Sequence, residues 1–121
     1  TASVVTRRKT IREDRETVMR VVRSYVEGIA FLKQNKEFSK KVLAKYFRTS
    51  DPEYLEGAYN IFSKDFIAAP YPITKELGAI YEIAAFRRPE VHSHKPEEFV
   101  DTSFVAELEK SGFIKKLYEG K

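Results

Sequence analysis

His92 and His94 stand two residues apart, a spacing that places two imidazoles on one side of an extended segment, where they could ligate a metal or carry a proton. A zinc site needs three or four ligands, and the nearby additions are Glu90, Glu97 and Glu98, with no cysteine and no third histidine in the chain. The pair is the metal candidate of this sequence, set against a solvated loop. Ser93 or Ser103 with a histidine and Asp101 supply the residue types of a hydrolytic triad, yet no nucleophile elbow, phosphate-binding glycine loop or metalloprotease motif frames them. The carboxylates Glu13, Asp14 and Glu16, and again Glu97, Glu98 and Asp101, fall where helices begin, so capping and the helix dipole account for them without acid/base chemistry. No catalytic residue and no cofactor is assigned, and the chain reads as a non-enzyme. Tyr71 and Thr74, in the loop and helix start after Pro70, are the candidates for facing a small solute; a packed loop aromatic and a structural N-cap are their alternative roles.

The elements that must position these residues are helical. Val18, Val21, Val22, Tyr25, Val26, Ile29 and Phe31 recur at spacings of three and four, which predicts an amphipathic helix from Asp14 to Lys33 with Asp14 as N-cap. Phe38, Val42, Leu43, Tyr46 and Phe47 predict a second helix over Glu37 to Phe47. Ser50-Asp51-Pro52-Glu53 is a start signal for a third, whose Tyr54, Leu55, Tyr59, Ile61, Phe62 and Phe66 read as a buried aromatic face. Ala69-Pro70-Tyr71-Pro72 forms a loop. A fourth helix starts at Thr74 as N-cap, carries an inward stripe of Leu77, Ile80, Tyr81, Ala84 and Phe86, and stops near Arg88. Pro89 to Pro96 reads as a connecting loop and Lys95 to Val100 as a short turn. Asp101-Thr102-Ser103 then opens a last helix that breaks at Gly112. Val4-Val5-Thr6 is β-branched and reads as one brief strand feeding the first helix. The expectation is one mainly α domain over residues 1–121, with about five helices and a short N-terminal strand.

Composition narrows the classes. At 42% hydrophobic and 33% charged residues, the 121-residue chain has enough apolar side chains for one core. Its apolar runs are broken by Lys, Glu or Arg well short of the roughly 20 residues that span a bilayer. The first residues lack the apolar core of a secretory signal, so this chain by itself is expected to stay in the cytoplasm. The absence of cysteine excludes disulfides, thiolate metal sites and a Cys nucleophile. A net charge of +4 is mild, and Arg7-Arg8-Lys9, Lys40-Lys41 and Lys115-Lys116 are separated along the chain, so nucleic acid is not an expected partner.

The order of these signals carries a family likeness. The stretch VVTRRKTIREDRETVMRVVRSYVEGIAFLKQNKEFSKKVLAKYFRTSDPEYLEGAYNIFSKDF, continued by PYPITKELGAIYEIAA and PEEFVDTSFVAELEKSGFIKKLY, resembles the C-terminal part of the periplasmic solute-binding proteins of nitrate, sulfonate and taurine ABC transporters. The resemblance implies a parent of type II periplasmic-binding fold, with two α/β lobes that close on a small solute and deliver it to a membrane permease. It implies a periplasmic parent, and a solute from the anion, sulfonate, amino acid or pyrimidine class. On this likeness Val4-Val5-Thr6 returns to the first lobe and the helices that follow pack upon it, while the hinge strands lining the cleft lie outside these residues. The chain is then a non-catalytic piece of a solute-capture protein. The alternative is a free-standing helical interaction protein that buries its apolar faces on a second copy as a homodimer, with Val4-Val5-Thr6 pairing between chains as an edge strand.

Overall fold

A computed structural model describes residues 3–120, apart from the side chain of Glu76; residues 1–2 and 121, the ends of the expected domain, lie outside the described residues. Among these residues the chain is mainly helical, with seven α-helices: α1 (Arg8–Glu13), α2 (Arg15–Gln34), α3 (Lys36–Phe47), α4 (Pro52–Asp65), α5 (Gly78–Arg87), α6 (Ser103–Lys110) and α7 (Phe113–Tyr118). Short 3-10 turns occupy Thr74–Leu77, Pro89–Ser93 and Pro96–Phe99.

The central element is α2, which packs against α1, α3, α6 and α7. Its N-terminus forms where expected: the Asp14 carboxylate accepts the Thr17 amide at 3.1 Å, and hydrogen bonding to Thr17, through its side chain first and its amide second, lowers the Asp14 pKa. Val18, Val22 and Val26 follow at intervals of four, so they share one stripe, and that stripe closes against Phe104, Val105 and Leu108 of α6 and Ile114 of α7. Arg15 covers the rim of this core: its guanidinium lies 4.4 Å from the Phe104 ring centroid and 3.1 Å from the Glu107 carboxylate. Between α6 and α7, Gly112 adopts φ 77°, a left-handed turn that a residue with a Cβ enters only at a cost.

The far end of α2 is held by α3 and α4. The Tyr59 hydroxyl donates to the carbonyls of Lys33 (3.1 Å) and Leu32 (3.3 Å), and Gln34 Nε2 donates to the Leu117 carbonyl at 2.7 Å, so two orphan-end regions of helices are satisfied by side chains. Glu56 on α4 bridges Lys36 and Lys40 of α3, the latter at 3.0 Å, and these ammonium groups hold its carboxyl below the usual range. The turn between α3 and α4 places Arg48 in the left-handed region (φ 53°), after which Asp51 caps α4 by accepting the Glu53 and Tyr54 amides, with Pro52 in the first turn.

Several expectations need correction. Val4-Val5-Thr6 is not a strand, and no strand occurs among the described residues; Val5 is 87% exposed. A β-ladder needs a neighbouring strand, and none is there to supply one. The polar run before Asp14 is instead helical (α1), which sequence reading missed because only Ile11 turns inward from it. Thr74 is not an N-cap: it opens a 3-10 turn that runs straight into α5, and neither start has a side-chain cap. Pro89 to Pro96 is a 3-10 turn for most of its length rather than open loop. The α4 aromatic face is only partly buried, with Leu55 and Tyr59 inside while Tyr54 and Ile61 are exposed.

Candidate functional site

The segment from Thr74 to Phe99 gathers most of the residues singled out for chemistry. Here α5 packs against the two 3-10 turns that flank it, and the turn Thr74–Leu77 also meets Pro96–Phe99. Leu77, Ile80, Tyr81, Ala84, Val91 and Phe99 enclose a recess of about 230 Å³, with the Tyr81 and Phe99 rings edge to face at 5.9 Å. Ligand sites combine an apolar wall with a few convergent polar groups and usually span about 300–1,000 Å³. This recess is smaller and its surface is apolar; the Tyr81 hydroxyl is buried with no hydrogen-bond partner among the described residues, and its pKa is raised chiefly by desolvation.

Glu98 organises the polar side of the segment. Its carboxylate accepts the Lys95 amide at 2.8 Å and lies 3.1 Å from His94 Nδ1, and these contacts, the amide first, hold its pKa below the ordinary 4.5. His94 also meets the Phe99 ring edge to face at 5.8 Å. His92 is exposed in the preceding 3-10 turn, and no group of three His, Asp or Glu side chains able to hold a metal ion occurs among the described residues. Ser93 donates to the Glu90 carbonyl at 2.7 Å, whereas Ser103 donates to Asp101 at 2.5 Å in the turn that starts α6. Each serine therefore serves local turn geometry.

No protein family, curated protein or solved structure matches the chain.

Tyr71 and Thr74 are placed differently from one another. Tyr71 packs on the α2, α6 and α7 core and its hydroxyl donates to Glu109 Oε2 at 2.6 Å, so its phenol pKa is raised first by that bond and then by desolvation. It clamps the loop to α6. Thr74 is half-buried at the start of its 3-10 turn and meets no polar side chain among the described residues that would orient a solute. The expected inward stripe of α5 is corrected by the structure, which leaves Ile80 and Phe86 exposed and gives the helix an apolar outer face. Ile80 is 58% exposed, Ile83 74% and Phe86 90%, and a groove of about 630 Å³ runs along Ile83, Ala84, Phe86 and Arg87. The signal was available: seven of the ten α5 residues are Ala, Ile, Tyr or Phe, distributed around the whole helix rather than on one stripe.

Proposed function

We propose that this chain is a non-catalytic segment of a solute-capture protein, one whose helices cover a lobe of the longer polypeptide and do not themselves form the solute cleft. The observation that carries this reading is α5. A helix apolar on all sides is ordinarily buried, and this one contains no buried residue. Its outer face calls for a large apolar surface beside it, and a lobe of the parent is such a surface. The family likeness of the sequence points the same way. In such a parent the solute is of the anion, sulfonate, amino acid or pyrimidine class, a membrane permease receives it, and the compartment is the periplasm.

The test uses the native protein. An antibody raised against this chain should detect, in extracts of the source cells, a polypeptide at least about twice the chain's 14.0 kDa, and the purified native protein should melt higher with one solute class, because a ligand that binds only the folded state stabilises it. A native product of 14.0 kDa that no solute stabilises would overturn the proposal.

The same exposed face supports a second reading, a homodimer in which α5 packs on its copy. Light scattering of the 121-residue chain separates the two. A dimer that Ile83→Asp converts to monomer supports self-association, and a monomer at high concentration removes it. A stable interface covers about 800 Å² per partner, more than one ten-residue helix presents, so the dimer needs further surface.

A further inference from the structure

We infer that residues 74–99 form a hinged flap, latched onto the helical body by Arg8. Three observations carry this. First, no described residue between 72 and 99 is buried, whereas the body holds Val18, Val22, Val26, Leu55, Tyr59, Phe104, Val105, Leu108 and Ile114 in its interior. Local opening is cheapest where few apolar side chains must be exposed.

Second, the flap is self-contained. Its main packing joins α5 to its own flanking turns, and apart from the bond to Arg8 its polar side-chain contacts among the described residues are internal: Arg88 with Glu90, Ser93 with the Glu90 carbonyl, and His94 and the Lys95 amide with Glu98. Its two ends are extended, with Ile73 at φ −104°, ψ 104° and Val100 at φ −120°, ψ 146°. Just outside each end the chain is fixed to α6. Tyr71 holds Glu109 on one side, and Asp101 caps Ser103 on the other. Ile73 and Val100 are thus soft joints between firm anchors.

Third, Arg8 reaches from α1 across 90 residues of sequence. Its guanidinium donates to the Glu98 carbonyl and lies 5.8 Å from the Phe99 ring centroid, gripping the flap at the residue that walls the apolar recess. A charge-assisted bond and a ring contact on one exposed side chain make a fastening strong enough to bias the flap closed and weak enough to release. In the proposed parent, this motion sets the angle at which α5 meets the surface it covers; the latch itself does not depend on that reading.

Hydrogen exchange with mass spectrometry on the 121-residue chain tests it. Amides of 78–87 should exchange at least about 100-fold faster than those of 22–30. Arg8→Ala should speed exchange across 78–99 about fivefold while leaving 18–30 and 104–114 unchanged, and Arg12→Ala on the same helix should change neither. Equal protection of α5 and α2 would overturn the flap. No response to Arg8→Ala, or a uniform response along the chain, would overturn the latch.

Discussion

Two helices of this protein invert the usual relation between apolar content and burial. Only half of the twenty α2 residues are apolar, yet it contributes Val18, Val22, Val26, Ile29 and Ala30 to the interior. α5 is richer in apolar residues and contributes none. The difference lies in phase and in partners. The α2 valines repeat every four residues and meet α6 and α7, so one stripe is covered completely. The α5 side chains point in every direction, and their packing partners are two short turns that cover one side. Burial is a property of a pair of surfaces, and hydrophobicity supplies one of them.

The widest test of this contrast is a pair of truncations. Leu108→Ala, at a fully enclosed position, should cost about 2–5 kcal/mol in urea unfolding, whereas Ile83→Ala on the outer face of α5 should stay within about 0.5 kcal/mol. Comparable losses at both sites would mean that α5 is integral to the core and would break the comparison. Gly112→Ala comes next. Nothing lies within 4 Å of the added methyl, so the loss, about 1 kcal/mol, should come from the left-handed backbone alone and appear as a lower melting temperature.

Acid should act on the flap before it acts on the core. The Glu98 carboxyl is held below its ordinary 4.5 in the folded protein, so its contribution is complete above that value and lost as pH falls through the lower folded value. The Lys95 amide resonance should therefore titrate with a midpoint below 4.5, accompanied by loss of protection around residues 95–98 and not in α2. Because Glu98 is exposed, the effect on global stability is small. Smallest of all, Tyr81→Phe should be neutral or slightly stabilising, within about 0.5 kcal/mol by thermal unfolding, since it deletes a hydroxyl with no partner among the described residues. A clear destabilisation would reveal a hydrogen bond that pins α5.

Helix positions were legible wherever a local chemical signal marks them. Asp14, Asp51 with Pro52, Pro89 and Gly112 each act through the backbone within a few residues of themselves, so the boundaries of α2 and α4, the end of α5 and the bounds of α6 lie within a residue or two of expectation, whereas α5 begins at Gly78 rather than just after Thr74. The strand expected at Val4-Val5-Thr6 is absent from the structure, because β-branched residues favour extended backbone but a strand exists only where another pairs with it. Thr74 failed as a cap for a related reason: its side chain suits that role, but a 3-10 turn continuous with α5 gives it no helix end to cap.

The candidate site divides in the same way. That the chain has no cysteine and no third histidine to join His92 and His94 could be read from composition, whereas only the structure shows His94 turned to Glu98 and Phe99. The Tyr71–Glu109 and Arg8–Glu98 ties join residues 38 and 90 positions apart and could not be read from spacing. The sequence by itself determined that the chain is helical, where most helices start and stop, and that α2 is amphipathic, since these follow from periodicity and caps, although Val21 and Phe31 of its apolar series stay exposed. Tertiary structure alone decided that α6 and α7 close that stripe, that α5 keeps an open apolar face, and that Arg8 grips residues 98–99, because each depends on which surfaces meet.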